Sequence, residues 1–323
     1  MRTKQLKRVR IGVLFGGWGG ERPISLLSGR KVVEGLRASG WRIVPIEVTS
    51  KDRNPARLKR RLRAARLDAV FNIIHGTFGE DGQLQAILDG LSIPYPGSGA
   101  LASSLAMQKA FSKLIFEERG IPTAPWQALD RETPSARWEA EVRVSLPCVV
   151  KPADSGSALG VTIVRKRREL RAALRAAFRD SRWALVERFI PGREITVGVL
   201  GDRALPVTEI IPKNEFYDLD AKYTPGRSIH VTPARLPASV TRRARRIALA
   251  AGQALGCRDF FRVDLIVPRS GQPQVLEVNT LPGMTDTSLY PEAARAAGIR
   301  FPQLLKRLVG MALRRKGSRP GRN

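Results

Sequence analysis

The sequence is short of several things, and each shortage excludes a class of protein. Only two cysteines occur in 323 residues, Cys148 and Cys257, far apart and without a CxxC pair. That leaves no material for a disulfide framework or a zinc ribbon, and a reducing, cytoplasmic setting is expected. No apolar run approaches the roughly 18 residues of a membrane span, so no membrane partner is expected. Behind the basic N-terminus only Ile11 to Phe15 is continuously apolar, shorter than the roughly 7-residue core of a signal peptide. Aromatics make up 6% of the chain and are not interleaved with its basic runs, which argues against a base-stacking surface. Acid is scarce too, at 29 Asp and Glu against 56 Lys and Arg, a net charge of +27.

A pI near 11.3 is the usual footprint of a nucleic-acid binder, so the placement of the charge matters. Leu58, Leu62 and Ala65 recur at helical spacing while Arg57, Lys59, Arg60, Arg61, Arg63 and Arg66 take the other faces. Leu170, Ala173, Leu174 and Ala177 likewise oppose Arg167, Arg168, Arg171, Arg175 and Arg179. Val240, Ala244, Ile247 and Ala251 oppose Arg242, Arg243, Arg245 and Arg246. The charge therefore reads as the solvated side of ordinary amphipathic helices, and nucleic acid is not an expected partner.

What is present is a chain long enough, at 43% hydrophobic residues, to bury a sizeable core over two or three domains. Val9–Phe15, Arg42–Val48 and Leu67–Ile74 read as buried strands and Ser25–Ser39 as a helix, the rhythm of a parallel α/β sheet. Ligands of such sheets sit at the carboxyl ends of the strands. Two loops leave those ends, Gly16 to Glu21 and His75 to Gly82. GxGxxG fails in the first because Arg22 replaces its last glycine, and Glu47 lies about 30 rather than about 20 residues on, so a dinucleotide oxidoreductase is discounted. A Pro/Gly/Ser cluster at 93–99 marks a boundary. One helix is expected over Ala100–Arg119, then strands at Cys148–Pro152, Val161–Val164, Ala184–Phe189, Glu194–Leu200 and Ala204–Ile211. Pro212 to Pro233 is polar and aperiodic, as functional loops often are.

Phe261 to Val267 and Gln274 to Asn279 flank a turn-rich stretch and read as a β-hairpin. Pairing Val267 with Gln274 sets Asp264 opposite Glu277 and Arg262 opposite Asn279, all on one face. Two carboxylates and an amide oxygen so placed suit Mg²⁺, with Arg262 beside them to neutralise a reacting anion. Lys151 to Gly160 joins two strands with one Lys and small residues, a loop able to approach phosphate oxygens, although the P-loop pattern is absent.

Taken in order, Gly16-Gly17…Glu21-Arg22…Ile24-Ser25-Leu26, His75-Gly76…Gly79-Glu80-Asp81-Gly82, Lys151-Pro152, Gly156-Ser157…Gly160, Asp220-Ala221-Lys222-Tyr223, Arg262-Val263-Asp264 and Glu277-Val278-Asn279-Thr280…Pro282-Gly283-Met284-Thr285…Ser288-Leu289 resemble the D-alanine–D-alanine ligase family of the ATP-grasp superfamily. The resemblance implies a three-domain α/β fold. Its expected parts are an N-terminal parallel α/β substrate domain at 1–97, a central ATP-grasp domain at 98–188, a C-terminal catalytic domain at 189–313 and a disordered basic tail at 314–323. It implies that Lys109, Lys151, Glu187, Arg188, Ile190, Glu194 and Lys222 bind ATP, and that Asp264, Glu277 and Asn279 hold two magnesium ions, with manganese as a substitute. Glu21, Ser157 and Tyr223, with His75 nearby, would hold the first D-alanine, Ser288 and Leu289 the second, and Arg262 with the Gly283 N–H the oxyanion. A homodimer is expected from the family. D-serine or D-lactate as second substrate is the alternative within it, and a basic nucleic-acid binder on the same scaffold the alternative outside it. Trp18-Gly19-Gly20, Pro23 and Gln108 depart from the family pattern around the first subsite.

Overall fold

The computed structural model describes residues 9–156, 160–212, 228–285 and 287–317; the expected roles of Ser157, Lys222 and Tyr223 fall outside them. The chain begins with β1 (Arg10–Gly16), α1 (Arg22–Ala38), β2 (Arg42–Val48), α2 (Pro55–Ala64), β3 (Ala69–Asn72) and α3 (Gln83–Gly90). The three strands form a parallel sheet in the order β2-β1-β3. Ser25, in the first turns of α1, accepts from Gly16 N at 2.8 Å and donates to Ile73 O at 2.6 Å. One buried hydroxyl thus ties the helix start to the carboxyl ends of both β1 and β3.

Where one helix is expected over Ala100–Arg119, two occur, α4 (Ala100–Met107) and α5 (Lys109–Glu118). Gln108 at φ −83°, ψ 85° leaves the helical region. Lys109 N then donates to Ala153 O at 2.8 Å instead of to its own helix. The break costs a helical hydrogen bond and regains it across the fold, fixing the direction of the Lys109 side chain.

The second sheet has the order β4-β7-β5-β6, from β4 (Trp126–Asp130), β5 (Cys148–Pro152), β6 (Thr162–Val164) and β7 (Trp183–Arg188), with α6 (Leu170–Asp180) between β6 and β7 in sequence. Leu170, Ala173, Leu174 and Ala177 of α6 are buried against this sheet, as their spacing predicts. The third sheet, β10-β9-β8-β11-β12, contains β8 (Gly192–Leu200), β9 (Arg203–Pro212), β10 (Ser228–Val231), β11 (Phe260–Pro268) and β12 (Gln274–Asn279). Its helix α7 (Ala238–Ala254) buries Val240, Ala244, Ile247 and Ala251 against Phe261, Val263 and Leu265. β10 is a correction: the end of the expected polar loop is a strand, pairing antiparallel with β9.

The hairpin of β11 and β12 sets Asp264 opposite Glu277 and Arg262 opposite Asn279, but Gln274 meets Ile266 rather than Val267. The register shifts between Asp264 and Leu265, leaving Leu276 as an extra residue. This bulge lets Val275 and Val278 both reach the core while Leu276 and Glu277 both face the cleft described below.

The chain ends in α8 (Leu289–Ala296) and α9 (Phe301–Gly317). The stretch expected as a tail is therefore helical through Gly317, and Arg315 ion-pairs with Asp259 at 2.6 Å. Leu304, Leu305, Leu308 and Val309 of α9 share one buried cluster with Ile11, Val32, Leu36 and Phe71, so the last helix completes the core of the first sheet.

Candidate active site

Two cavities meet at the β11–β12 hairpin, and every described candidate residue lines one or both of them. The first is bordered by Glu21, His75, Arg262, Asn279, Gly283, Ser288 and Leu289. The second is bordered by Lys151, Glu187, Arg188, Ile190, Glu194 and Asp264, with Val149, Val161, Ile266 and Leu276 supplying apolar walls. Lys109 and Glu277 line both. Their side chains stand 3.4 Å apart, Nζ to Oε2, and Lys109 Nζ also donates to Ser155 O at 2.7 Å.

In the first cavity Glu21 sits at the start of α1, where backbone N–H groups favour a carboxylate. Gly76 takes φ +72°, which side-chain-bearing residues rarely adopt, and a Cβ there would push against Glu21 Oε2. His75 lies between Ser28 Oγ, 3.3 Å from Nε2, and Glu80 Oε1, 3.1 Å from Nδ1. A carboxylate at Nδ1 fixes the ring and its tautomer. Burial pushes the Glu80 carboxyl above its usual range, against the pull of His75. On the far side, Ser288 Oγ accepts from Thr285 N at 2.9 Å and lies 2.8 Å from Thr285 Oγ1. A Cβ at Gly283 would come within 2.8 Å of that hydroxyl, so the glycine lets the loop carry its backbone N–H past Ser288.

At the shared wall Arg262 grips Asp264 with both prongs, Nε at 2.9 Å and Nη2 at 2.8 Å, and Thr196 Oγ1 donates to Asp264 at 2.6 Å. Asn279 Oδ1 accepts from Leu281 N at 3.0 Å. Asp264, Glu277 and Asn279 thus present hard oxygen atoms on one face of the hairpin. Among the described residues no group of three or more His, Cys, Asp or Glu forms. Two carboxylates and an amide fit a small hard cation that keeps water and phosphate oxygens as its other ligands, and fit a soft metal poorly.

Behind the second cavity lies a residue that the sequence reading missed. Lys113, 1% exposed, reaches behind the cavity wall to Glu187 Oε2 at 3.5 Å, while Lys151 Nζ stands 2.6 Å from Glu187 Oε1. Burial alone would raise the Glu187 carboxyl, but the two lysines outweigh it and hold it below its ordinary value. No periodic signal marks it in the sequence: the buried face of α5 is Lys109, Ser112, Lys113 and Phe116, while Phe111 and Leu114 stand exposed.

The family departures leave the cavities intact. Trp18 lines neither cavity; it stacks on Phe78 at 4.5 Å between ring centres, with the Arg53 guanidinium 5.5 Å from its ring. Pro23 lies in the first turn of α1, where its fixed φ suits a helix start, and Gln108 is the joint between α4 and α5.

Residues 115–310 match the family described as D-ala D-ala ligase C-terminus, and residues 51–98 the D-ala D-ala ligase N-terminus. Among similar curated proteins, the D-alanine–D-alanine ligase of Geotalea uraniireducens is 48% identical over 97% of this chain and 98% of its own length. That of Rhodospirillum rubrum is 47% identical over 94% and 98%. Among solved structures, the D-alanine–D-alanine ligase of Bacillus anthracis complexed with ATP is 34% identical, covers 96% of this chain and 99% of its own, and superposes with a TM-score of 0.83.

Proposed function

The chain belongs to the D-alanine–D-alanine ligase family, and from that premise we propose how its two cavities join two D-alanines at the expense of ATP to supply a peptidoglycan precursor. The observation that carries this reading is the shared wall: Lys109 and Glu277 border both cavities, so a phosphoryl group can pass from a nucleotide in one to a carboxylate in the other without entering bulk water.

The adenine lies between the apolar walls, its 6-amino group at Glu187 and its ring beside Arg188 and Ile190, with the ribose at Glu194. Lys109 and Lys151 neutralise the phosphates, joined by Lys222. Asp264, Glu277 and Asn279 would hold Mg²⁺, with Mn²⁺ as a substitute, and the ion would supply positive charge to offset that of the phosphates. Glu21 binds the ammonium of the first D-alanine, helped by Ser157 and Tyr223, with His75 alongside.

The first D-alanine's carboxylate takes the γ-phosphoryl group, giving ADP and an acyl phosphate. The second D-alanine, its carboxylate at Ser288 and the N–H of Leu289, attacks the activated carbonyl through its amine. Arg262 and the Gly283 N–H stabilise the tetrahedral oxyanion, which collapses to the dipeptide and inorganic phosphate. Most of the acceleration comes from positioning and charge neutralisation, and exclusion of water protects the acyl phosphate from hydrolysis.

Among the described residues no helix is long and apolar enough to cross a membrane; a cytoplasmic location is inferred from the family's substrates, ATP and D-alanine. Leu101, Phe111 and Leu114 stand exposed on α4 and α5, apolar side chains that a homodimer would cover, checked by light scattering. Phosphate release with D-alanine alone, compared with D-alanine plus D-serine or D-lactate, tests the substrate assignment: D-alanine alone is expected to suffice, and no turnover with it would overturn the reading. A steep salt dependence of duplex DNA binding would favour the nucleic-acid alternative.

A further inference from the structure

A lysine that is 1% exposed is expensive to bury, and such residues persist where their charge is used. Lys113 does not line the cavity that its partner Glu187 lines, so it cannot itself meet the phosphates. Its ammonium donates to Thr123 Oγ1 at 2.5 Å, and that hydroxyl donates to Val275 O of β12 at 2.9 Å. The lysine is thereby fixed at both ends of its reach, with Glu187 Oε2 3.5 Å away. Burial pulls the Lys113 ammonium down and Glu187 pulls it back part of the way, leaving it at about 8.

Lys151, the other cation on Glu187, stands at the cavity and is claimed by phosphate once a nucleotide arrives. Lys113 has no such alternative. Glu187 Oε1 is buried 2.6 Å from Lys151 Nζ, in a carboxylate that lines the nucleotide cavity, so its acceptor capacity passes to a ligand donor as Lys151 turns to the phosphates.

We propose that Lys113 is a positioning residue that sets the purine selectivity of the nucleotide cavity, holding Glu187 as an ionised, acceptor-only carboxylate that takes a 6-amino purine and rejects a 6-oxo purine. This rests on the reading that Glu187 meets the adenine amino group. An ionised carboxylate can only accept, so the N6–H₂ of adenine satisfies it, whereas the O6 of hypoxanthine sets acceptor against acceptor. With Lys113 removed, the carboxyl can take a proton and donate to O6.

The test compares kcat/KM for ATP and for inosine triphosphate in wild type, Lys113→Met, Glu187→Gln and the double variant. Wild type is expected to favour ATP by about a hundredfold or more, as sites built around a ligand N–H do. Lys113→Met should lower that ratio about tenfold or more, through a higher KM for ATP with kcat at saturation falling less than about threefold. A ratio within about twofold of wild type overturns the proposal. If that happens while Glu187→Gln still shifts the ratio, the adenine reading stands and only the role of Lys113 falls. If Glu187→Gln leaves the ratio unchanged, the adenine reading itself falls, and the proposal with it. Because Lys113→Met leaves a buried carboxylate with one cation fewer and could fail to fold, the double variant, which buries no such charge, carries the same question. Against Glu187→Gln alone its ratio should not move if Lys113 acts only through Glu187; a further tenfold or so change would show a separate action and overturn the proposal.

Discussion

The two cavities share a wall and are otherwise built in opposite ways. The nucleotide side is lined from β5, β7, β8, β11 and β12, where ladder hydrogen bonds fix each side chain to one face. The amino-acid side is assembled from the ends of β1 and β3, the joint at Gln108 and the loop from Thr280 to Ser288, where hydroxyls, glycines and one histidine do the positioning. A sheet gives a flat apolar slot suited to a planar base, and loops give a small polar socket suited to a zwitterion. The difference implies that each side can be damaged separately while damage to the wall stops both.

The largest effect should come at the wall. Asp264→Asn or Glu277→Gln is expected to lower kcat for D-alanine-dependent phosphate release by on the order of a thousandfold with the circular dichroism spectrum retained; near-normal activity in both would remove the metal assignment. Arg262→Met should cost about a hundredfold in kcat, and a change confined to KM would move Arg262 from the oxyanion to ground-state binding.

Smaller and one-sided effects come next. Glu21→Gln should raise KM for D-alanine about tenfold or more and leave KM for ATP within about twofold, since a hydrogen bond to a charged group is worth about 1.5–3 kcal/mol. Glu194→Gln should do the reverse through the ribose. If both constants move together in either variant, the cavities are coupled and the contrast between them fails.

The smallest effect on catalysis should come from Asp52, remote from both cavities and held by Arg57 at 3.2 Å and Arg61 at 2.5 Å. Burial would raise its carboxyl, but the Arg61 hydrogen bond and the other partners bring it below the ordinary value. A depressed carboxyl stabilises the fold fully above the ordinary value of about 3.9 and loses that contribution as pH falls through its own lower one. Asp52→Asn should therefore lower the melting temperature at neutral pH, by an amount equivalent to about 1–3 kcal/mol, show a weaker acid dependence, and leave kcat/KM unchanged.

The strand alternation that buries Val263 and Val278 also turns Arg262, Asp264, Glu277 and Asn279 outward, so the hairpin's working face was legible before any coordinates. The bulge at Leu276 was not, because an extra residue changes no local pattern and is chosen by the demand that both Val275 and Val278 reach the core. The arginine-rich helices were legible for the same reason as the hairpin: their buried stripes are periodic. Gln108 and Lys113 were not legible, since a helix break and a buried ammonium are each stabilised by partners distant in sequence, Ala153 O in one case and Glu187 in the other.

α9 has a consequence for the order of events during synthesis. Ile11, Val32 and Phe71 leave the ribosome early, yet Leu304, Leu305 and Leu308, which cover them, are made roughly 230 residues after Phe71. At about 5–20 residues per second, the first sheet waits on the order of ten seconds or more with an apolar flank open to water. A nascent chain stalled before Phe301 should therefore be a far better chaperone client than the finished protein, although all of its candidate active-site residues have already been translated.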